Sequence, residues 1–300
     1  MSALERLFNP RGIAIVGARQ DLSRGGGQPL NALLSYGYAG RVYPVNPKYR
    51  EIAGVKCYPS LRDIDGPCDL AVIAIPAGGI IEAVKDCGAN GIPYAVIYGG
   101  GFREIGTEGV AREKELVRVA RESGVRLIGP NCLGLVNVTD RVYAAFGSMT
   151  REPRLRSGPV SMVYQSGGFG HSIVLCCAAA GAGFRYLVAS GNEVDITAPE
   201  LIDAYLDDEQ TKIVVAYIEG VADGRALMEA GRKAARLGKV ILMWKSGNTE
   251  QGRRVAATHT ASMTGTDDIY RAALRQAGII KVHGFGEIAP AGFRGEEMSR

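Results

Sequence analysis

The strongest constraint in this sequence is a rhythm. Short, almost wholly apolar runs alternate with longer amphipathic segments along nearly the whole chain. Gly12–Gly17, Arg41–Asn46, Leu70–Ile75, Tyr94–Tyr98 and Arg126–Gly129 have the character of strands buried on both faces, and residues 28–36, 79–89 and 111–123 have the helical period. Such strands belong to parallel sheets whose crossover helices cover both faces. The predicted fold class is therefore α/β and doubly wound. The rhythm pauses over 151–159 and restarts, with strands expected at 160–164, 186–189, 213–217 and 240–244 and helices at 165–180, 225–237 and 267–277. A chain of 300 residues fits two domains at roughly 150 residues each. The expected division is 1–147, 148–288 and an aperiodic tail, 289–300.

Composition narrows the function classes. The net charge of +4 comes with no Lys/Arg block, which argues against a nucleic-acid partner. No run of about 18 apolar residues exists to span a membrane. The N-terminus has no signal-peptide character, and six dispersed cysteines suit a reducing compartment, so the expected location is the cytoplasm. The cysteines and three histidines form no zinc-type spacing, so no metal site is expected.

Chemistry is expected where the strands end. In a doubly wound sheet, ligands bind outside the carboxyl edge. The first turn, V-G-A-R-Q-D-L-S-R-G-G-G-Q, lacks a strict G-x-G-x-x-G, but Gly25, Gly26 and Gly27 would let main-chain N–H groups approach a pyrophosphate at a helix start. The second strand ends V-N-P-K. An NAD enzyme usually carries a carboxylate there; Lys48 suits a phosphorylated ribose instead, as in NADP or coenzyme A. Marked turns follow the next three strands: Pro76-Ala77, Gly99-Gly100-Gly101-Phe102 and Gly129-Pro130-Asn131-Cys132-Leu133-Gly134.

In the second half, Q-S-G-G (165–168) opens a helix directly after a strand, so its free N–H groups and macrodipole suit a phosphate. Glu219 ends the strand in Y-I-E-G. His259 stands between two threonines in A-T-H-T-A-S-M-T-G, a run of small residues that leaves it displayed rather than packed.

Taken together and in order, N-P-R-G-I-A-I-V-G-A, G-Y-A-G-R-V-Y-P-V-N-P-K, D-L-A-V-I-A-I-P-A, G-G-G-F, G-P-N-C-L-G, Q-S-G-G-F-G, S-G-N-E-V-D and W-K-S-G resemble the NDP-forming acyl-CoA synthetases, the superfamily of succinyl-CoA synthetase α subunits. The resemblance covers roughly residues 6–285. It implies a Rossmann-like CoA-binding domain followed by a flavodoxin-like domain. It implies that CoA contacts Gly17, Ala18, Gly25, Gly26, Gly27, Gln28, Asn46, Lys48, Pro76, Asn131 and Cys132, with the pyrophosphate near 25–28, the adenosine phosphate near Lys48, and the pantetheine and thiol near Pro76, Asn131 and Cys132. It implies that His259 becomes phosphorylated, that Glu219 orients its imidazole, and that Gln165, Ser166, Gly167 and Gly168 receive the phosphoryl group. ATP or GTP with Mg would act through a partner, an ATP-grasp β-type subunit, in an αβ or α2β2 assembly; the acyl substrate would be a small carboxylic acid. Two departures from the family pattern stand out: Ala261 and Thr264 in the histidine loop, and the form of the loop before the first helix. They motivate a rival reading, a catalytically silent CoA-binding regulatory protein. An NADP-linked oxidoreductase is a third, for which the chain offers no convincing hydride-transfer pair.

Overall fold

The structure is a computed structural model that describes residues 4–150, 154–246 and 267–288. The chain forms two compact units. The first holds the chain as far as Arg154 together with Ser190–Ile196; the second holds Leu155–Ala189 and the chain from Thr197 onward.

In the first unit a short helix, α1 (Glu5–Phe8), leads into β1 (Gly12–Val16), followed by α2 (Gly27–Ser35) and β2 (Arg41–Val45). A small hairpin of β3 (Glu51–Ile52) and β4 (Val55–Lys56) precedes β5 (Leu70–Ile73), α3 (Ala77–Ala89), β6 (Tyr94–Ile97), α4 (Thr107–Ser123) and β7 (Arg126–Ile128). The main strands are all parallel, in the order β2-β1-β5-β6-β7. Ile13, Ile15, Val72, Ile97 and Leu127 are fully buried, as continuous apolar strands require when both faces are covered. Pro44 lies within β2, which is the edge strand, where a missing N–H is tolerated. The chain builds β2 on one side of β1 and then crosses to build β5 on the other. This makes the gap between β1 and β5 the topological switch point, where a ligand crevice is expected.

In the second unit the strands are β10 (Ser157–Tyr164), β11 (Phe184–Ala189), β12 (Ile213–Ile218), β13 (Val240–Lys245) and β14 (Ile280–Lys281). The helices are α5 (Gly167–Ala179), α6 (Ala198–Asp207), α7 (Gly224–Arg236) and α8 (Asp267–Gln276). The strands are again parallel, in the order β14-β13-β12-β10-β11. In order of first appearance the parallel strands of each unit read 2-1-3-4-5, so the second switch point lies between β10 and β12. No described helix is long and apolar enough to cross a membrane.

Short α1, the β3–β4 hairpin and two larger elements escaped the sequence reading. Between β7 and β10 lies an antiparallel hairpin, β8 (Gly134–Asn137) and β9 (Val142–Ala145), buried along both strands. Its turn places Arg141 at φ +61°, where hairpins normally signal themselves with Gly or Asn, and the cue the sequence did carry is only Asn137 and Asp140, bonded to each other across the turn. Helix α6 did carry its cue, Pro199 and Glu200 in the first turn.

Candidate functional sites at the two sheet edges

In the first unit, β1 ends at Gly17 with φ +84°, and a Cβ there would lie 2.6 Å from the Ala74 carbonyl oxygen. Only glycine lets the turn after β1 press against the turn after β5. Ala18 is fully buried behind it. Gly26 and Gly27 serve the same compaction: their Cβ positions would fall 2.5 Å from the Gly17 oxygen and 2.1 Å from the Asp21 oxygen. Gly25 is more open and faces the Arg19 guanidinium at 3.9 Å. Gln28 braces the loop. Its Nε2 donates to the Ser23 carbonyl at 2.6 Å, and its Oε1 accepts from the Gly147 N–H at 2.9 Å.

Asn46 shapes the end of β2. Its Nδ2 donates to the Ala18 carbonyl at 2.7 Å, and its Oδ1 accepts from the Lys48 N–H at 3.0 Å. That turn leaves Lys48 exposed at the rim of a cleft of about 390 Å³, whose lining includes Val16, Gly17, Val45, Asn46, Leu61 and Ile75. Glu82 and Asp86 stand on the same lining, so an apolar floor meets charges of both signs at its edge.

Further along the edge, Pro76 is the N-cap residue of α3, and Asn131 is exposed in the left-handed conformation (φ +58°), its N–H donating to the Gly99 carbonyl at 3.1 Å. Cys132 differs. It is 3% exposed, its thiol donates to the Ile97 carbonyl at 3.2 Å, and burial pushes that thiol up to about 12. Its sulfur therefore belongs to the core as a neutral thiol, and what Cys132 offers at the edge is main chain.

In the second unit, α5 starts two residues after β10. Its first intrahelical bond runs from the Gly170 N–H to the Ser166 carbonyl at 2.8 Å, so the N–H groups of Gly167, Gly168 and Phe169 precede the helical ladder. Ser166 is the N-cap, its hydroxyl making no capping bond, and Gly168 is exposed with open space where a Cβ would stand. These amides and the helix macrodipole give the start of α5 the chemistry to accept an anion.

Gln165, expected to bind phosphate, uses its side chain otherwise. Its Oε1 accepts from the N–H groups of Glu219 (2.6 Å) and Gly220 (3.0 Å), and its Nε2 donates to the Gly220 carbonyl at 2.7 Å. It clamps the turn after β12 to the turn after β10 across the switch point. Glu219, in that turn, is 8% exposed. Phe169 packs against Tyr217, Trp244 and Phe285, with ring centroids 4.6, 4.9 and 5.4 Å away. Burial lowers the His171 imidazole to about 4, so it is neutral at pH 7. His259 lies outside the described residues.

The sequence reading missed Lys245, buried at the end of β13 with its Nζ 4.9 Å from the Tyr270 ring centre. It also gave no role to Glu104 and Asn192 at the first edge.

Residues 11–138 match the CoA binding domain family, and residues 157–292 match the succinyl-CoA ligase like flavodoxin domain family. The chain is 37% identical over 285 residues to the α subunit of acetate–CoA ligase (ADP-forming) II of Pyrococcus furiosus, covering 95% of this chain and 61% of that one. It is 37% identical over 285 residues to acetate–CoA ligase (ADP-forming) I of Archaeoglobus fulgidus, covering 95% of this chain and 41% of the relative. Among solved structures, an acetyl-coenzyme A synthetase 1 from Ca. Korarchaeum cryptofilum, in complex with phosphate and ADP, superposes with a TM-score of 0.88 at 38% identity, covering 95% of this chain and 60% of that one. The chain thus spans less than two thirds of the length of each of these relatives.

Proposed function

Because this chain belongs to the NDP-forming acyl-CoA synthetases, carrying a CoA binding domain and a succinyl-CoA-ligase-like flavodoxin domain in that order, we propose that it performs the α-type part of the reaction acid + CoA + NTP = acyl-CoA + NDP + phosphate. The observation that carries the proposal is this pairing in one chain, each domain presenting a built carboxyl edge at its switch point. The nucleotide phosphorylates His259 with the help of an ATP-grasp β-type partner, which supplies ATP or GTP and Mg. The carboxylic acid then takes the phosphoryl group as an acyl phosphate. The CoA thiol attacks the acyl carbon and phosphate leaves.

This chain's own groups have distinct tasks in that scheme. The N–H groups of Gly167, Gly168 and Phe169 hold the phosphoryl oxygens, because the start of α5 offers donors without intrahelical acceptors. Glu219, held by the Gln165 clamp, orients the imidazole and stabilises the charge it develops on phosphorylation. The turn residues 17–28 and 46–48 hold the nucleotide end of CoA, and Lys48 meets its ribose phosphate. Relatives named as ADP-forming acetate–CoA ligases favour a small acid and ATP.

The test uses the tagged chain in lysate of its source cells, with γ-labelled ATP or GTP and the His259→Ala variant alongside. Acid-labile label on the wild type and none on the variant is the expected result. Absence of label on the wild type, with CoA binding intact, overturns the enzyme reading in favour of a CoA-binding regulator.

A further inference from the structure

The turns after β6 and β7 in the first unit carry a polar cluster with no role in the scheme above. Glu104 Oε1 accepts from the N–H groups of Gly101 (2.6 Å) and Phe102 (3.1 Å), and its Oε2 accepts from Asn192 Nδ2 at 2.8 Å. The same amide nitrogen donates to Glu113 Oε2 at 3.2 Å, and Glu113 pairs with Arg103 at 3.2 Å. The carbonyl oxygen of Asn192 takes a long bond, 3.5 Å, from Asn131 Nδ2. Burial pushes the Glu104 carboxyl up, but the Asn192 amide and the main-chain N–H groups outweigh it and hold the group below its ordinary range. It is therefore an ionised acceptor at neutral pH, and charge-assisted bonds of this kind are the strong ones.

Asn192 comes from far along the chain, on a strap sewn antiparallel to β7. Its N–H donates to the Pro130 carbonyl at 2.9 Å, that of Val194 to Gly129 at 3.2 Å, and that of Ile196 to Leu127 at 3.1 Å. The Asp195 carboxylate accepts from the Leu127 N–H at 2.8 Å and from Arg126 Nε at 2.9 Å. Gly191 (φ +61°) permits the approach, since a Cβ there would lie 2.4 Å from the Pro130 oxygen. Main-chain bonds alone would hold the strap on β7. The Asn192 carboxamide does something further: it joins the turn after β7 to the turn after β6.

We propose that Asn192 is a positioning residue for the thiol end of CoA, holding the Glu104 and Asn131 turns in register so that the exposed Asn131 carboxamide meets the pantetheine arm. The proposal rests on the reading that CoA lies along this edge with its sulfur end at Asn131–Cys132. The nucleotide end would be held by other turns, 17–28 and 46–48, which Asn192 does not touch. Loss of Asn192 should therefore weaken recognition of one half of the ligand only.

The experiment is calorimetric titration of the full chain with two probes: CoA, and 3′-phospho-ADP, which is its nucleotide half without the pantetheine. Asn192→Ala should raise the Kd for CoA roughly tenfold, the fold-change of losing one hydrogen bond from the Asn131 carboxamide to the pantetheine arm once the turns slip, and leave that for 3′-phospho-ADP within about twofold. Asn192→Asp, which adds a third carboxylate beside Glu104 and Glu113, should weaken CoA at least as much. Equal weakening of both probes would make Asn192 a residue that merely holds the fold. Unchanged CoA binding would remove it from the site altogether. A wild-type chain that binds neither probe would instead overturn the CoA reading itself.

Discussion

Gln165 distinguishes a side chain that would touch phosphate from one that would build the turn beside the proposed phosphate site. Replacing it with alanine removes three hydrogen bonds: from the N–H groups of Glu219 and Gly220, and to the Gly220 carbonyl. Each contributes about 1 kcal/mol net, and partly buried main-chain groups are left unsatisfied, so the second unit should lose about 2–4 kcal/mol. The chain's one tryptophan, Trp244, lies on β13 in that unit, so its fluorescence follows the loss without interference from the first unit. With a urea m-value of about 2 kcal/mol/M, the midpoint should fall by about 1–2 M. Gln165→Glu keeps the acceptor for both N–H groups but sets a carboxylate oxygen against the Gly220 carbonyl, so its midpoint should fall as well. An alanine variant with an unchanged midpoint but no phosphorylation would refute the clamp, and would mean that the amide acts on the phosphoryl group directly.

Three further outcomes are expected. Buried Asp69 accepts from the Arg11 N–H (2.7 Å), Nε (2.9 Å) and Nη2 (2.7 Å); burial pushes its carboxyl up, but the Arg11 bonds and charge outweigh that and hold it low. Its stabilisation is thus present above the unfolded carboxylate value and lost as pH falls through the lower folded one, so the stability gap between wild type and Asp69→Asn should be widest near pH 7 and close below about pH 4 in denaturant titrations. Gly17→Ala forces a side chain onto φ +84° and into the Ala74 carbonyl, which should cost about 1–3 kcal/mol in thermal melting of the first unit and weaken CoA binding with it. Lys48→Ala should weaken CoA about two- to fivefold at low salt and leave dephospho-CoA unaffected, as an exposed charge pair predicts.

The strands were legible because burial on both faces erases alternation and leaves continuous Ile/Val runs that nothing else in a chain of this composition produces. Their starts were less so. β10 begins at Ser157, three residues before its apolar run, because Ser157 still pairs with Phe184 of the neighbouring strand through main chain that no side-chain pattern reports. The turn glycines were legible as a group but not in their division of labour. Gly26 and Gly27 fold the loop onto itself, a close approach that only the three-dimensional path reveals. The burial of the Cys132 sulfur was unreadable for a similar reason. In G-P-N-C-L-G the side chain could turn to either face, and the left-handed Asn131 before it decides which. Least legible was the strap from Ser190 to Ile196, since nothing in S-G-N-E-V-D states that its partners lie some 60 to 90 residues earlier.

Both units wind the same strand order, yet their carboxyl edges are finished by different means. In the first, left-handed glycines stand at the strand ends, as at Gly17 after β1 and Gly129 after β7. In the second, the described left-handed glycines, Gly181, Gly238 and Gly278, all follow helix ends at the opposite edge. Glycine at a strand end brings one turn's main chain against the next and leaves a continuous groove, which suits a long ligand read along its length. A helix start whose first N–H groups precede the helical ladder gathers donors at one point, which suits a compact anion. Helix-end glycines are common to both units, as Gly37, Gly91 and Gly124 in the first show, so the difference lies in the strand-end glycines. An alanine at Gly168, where a Cβ meets no neighbour, should leave the second unit's fold intact and crowd only what approaches the helix start, whereas an alanine at Gly17 cannot be accommodated without moving β5.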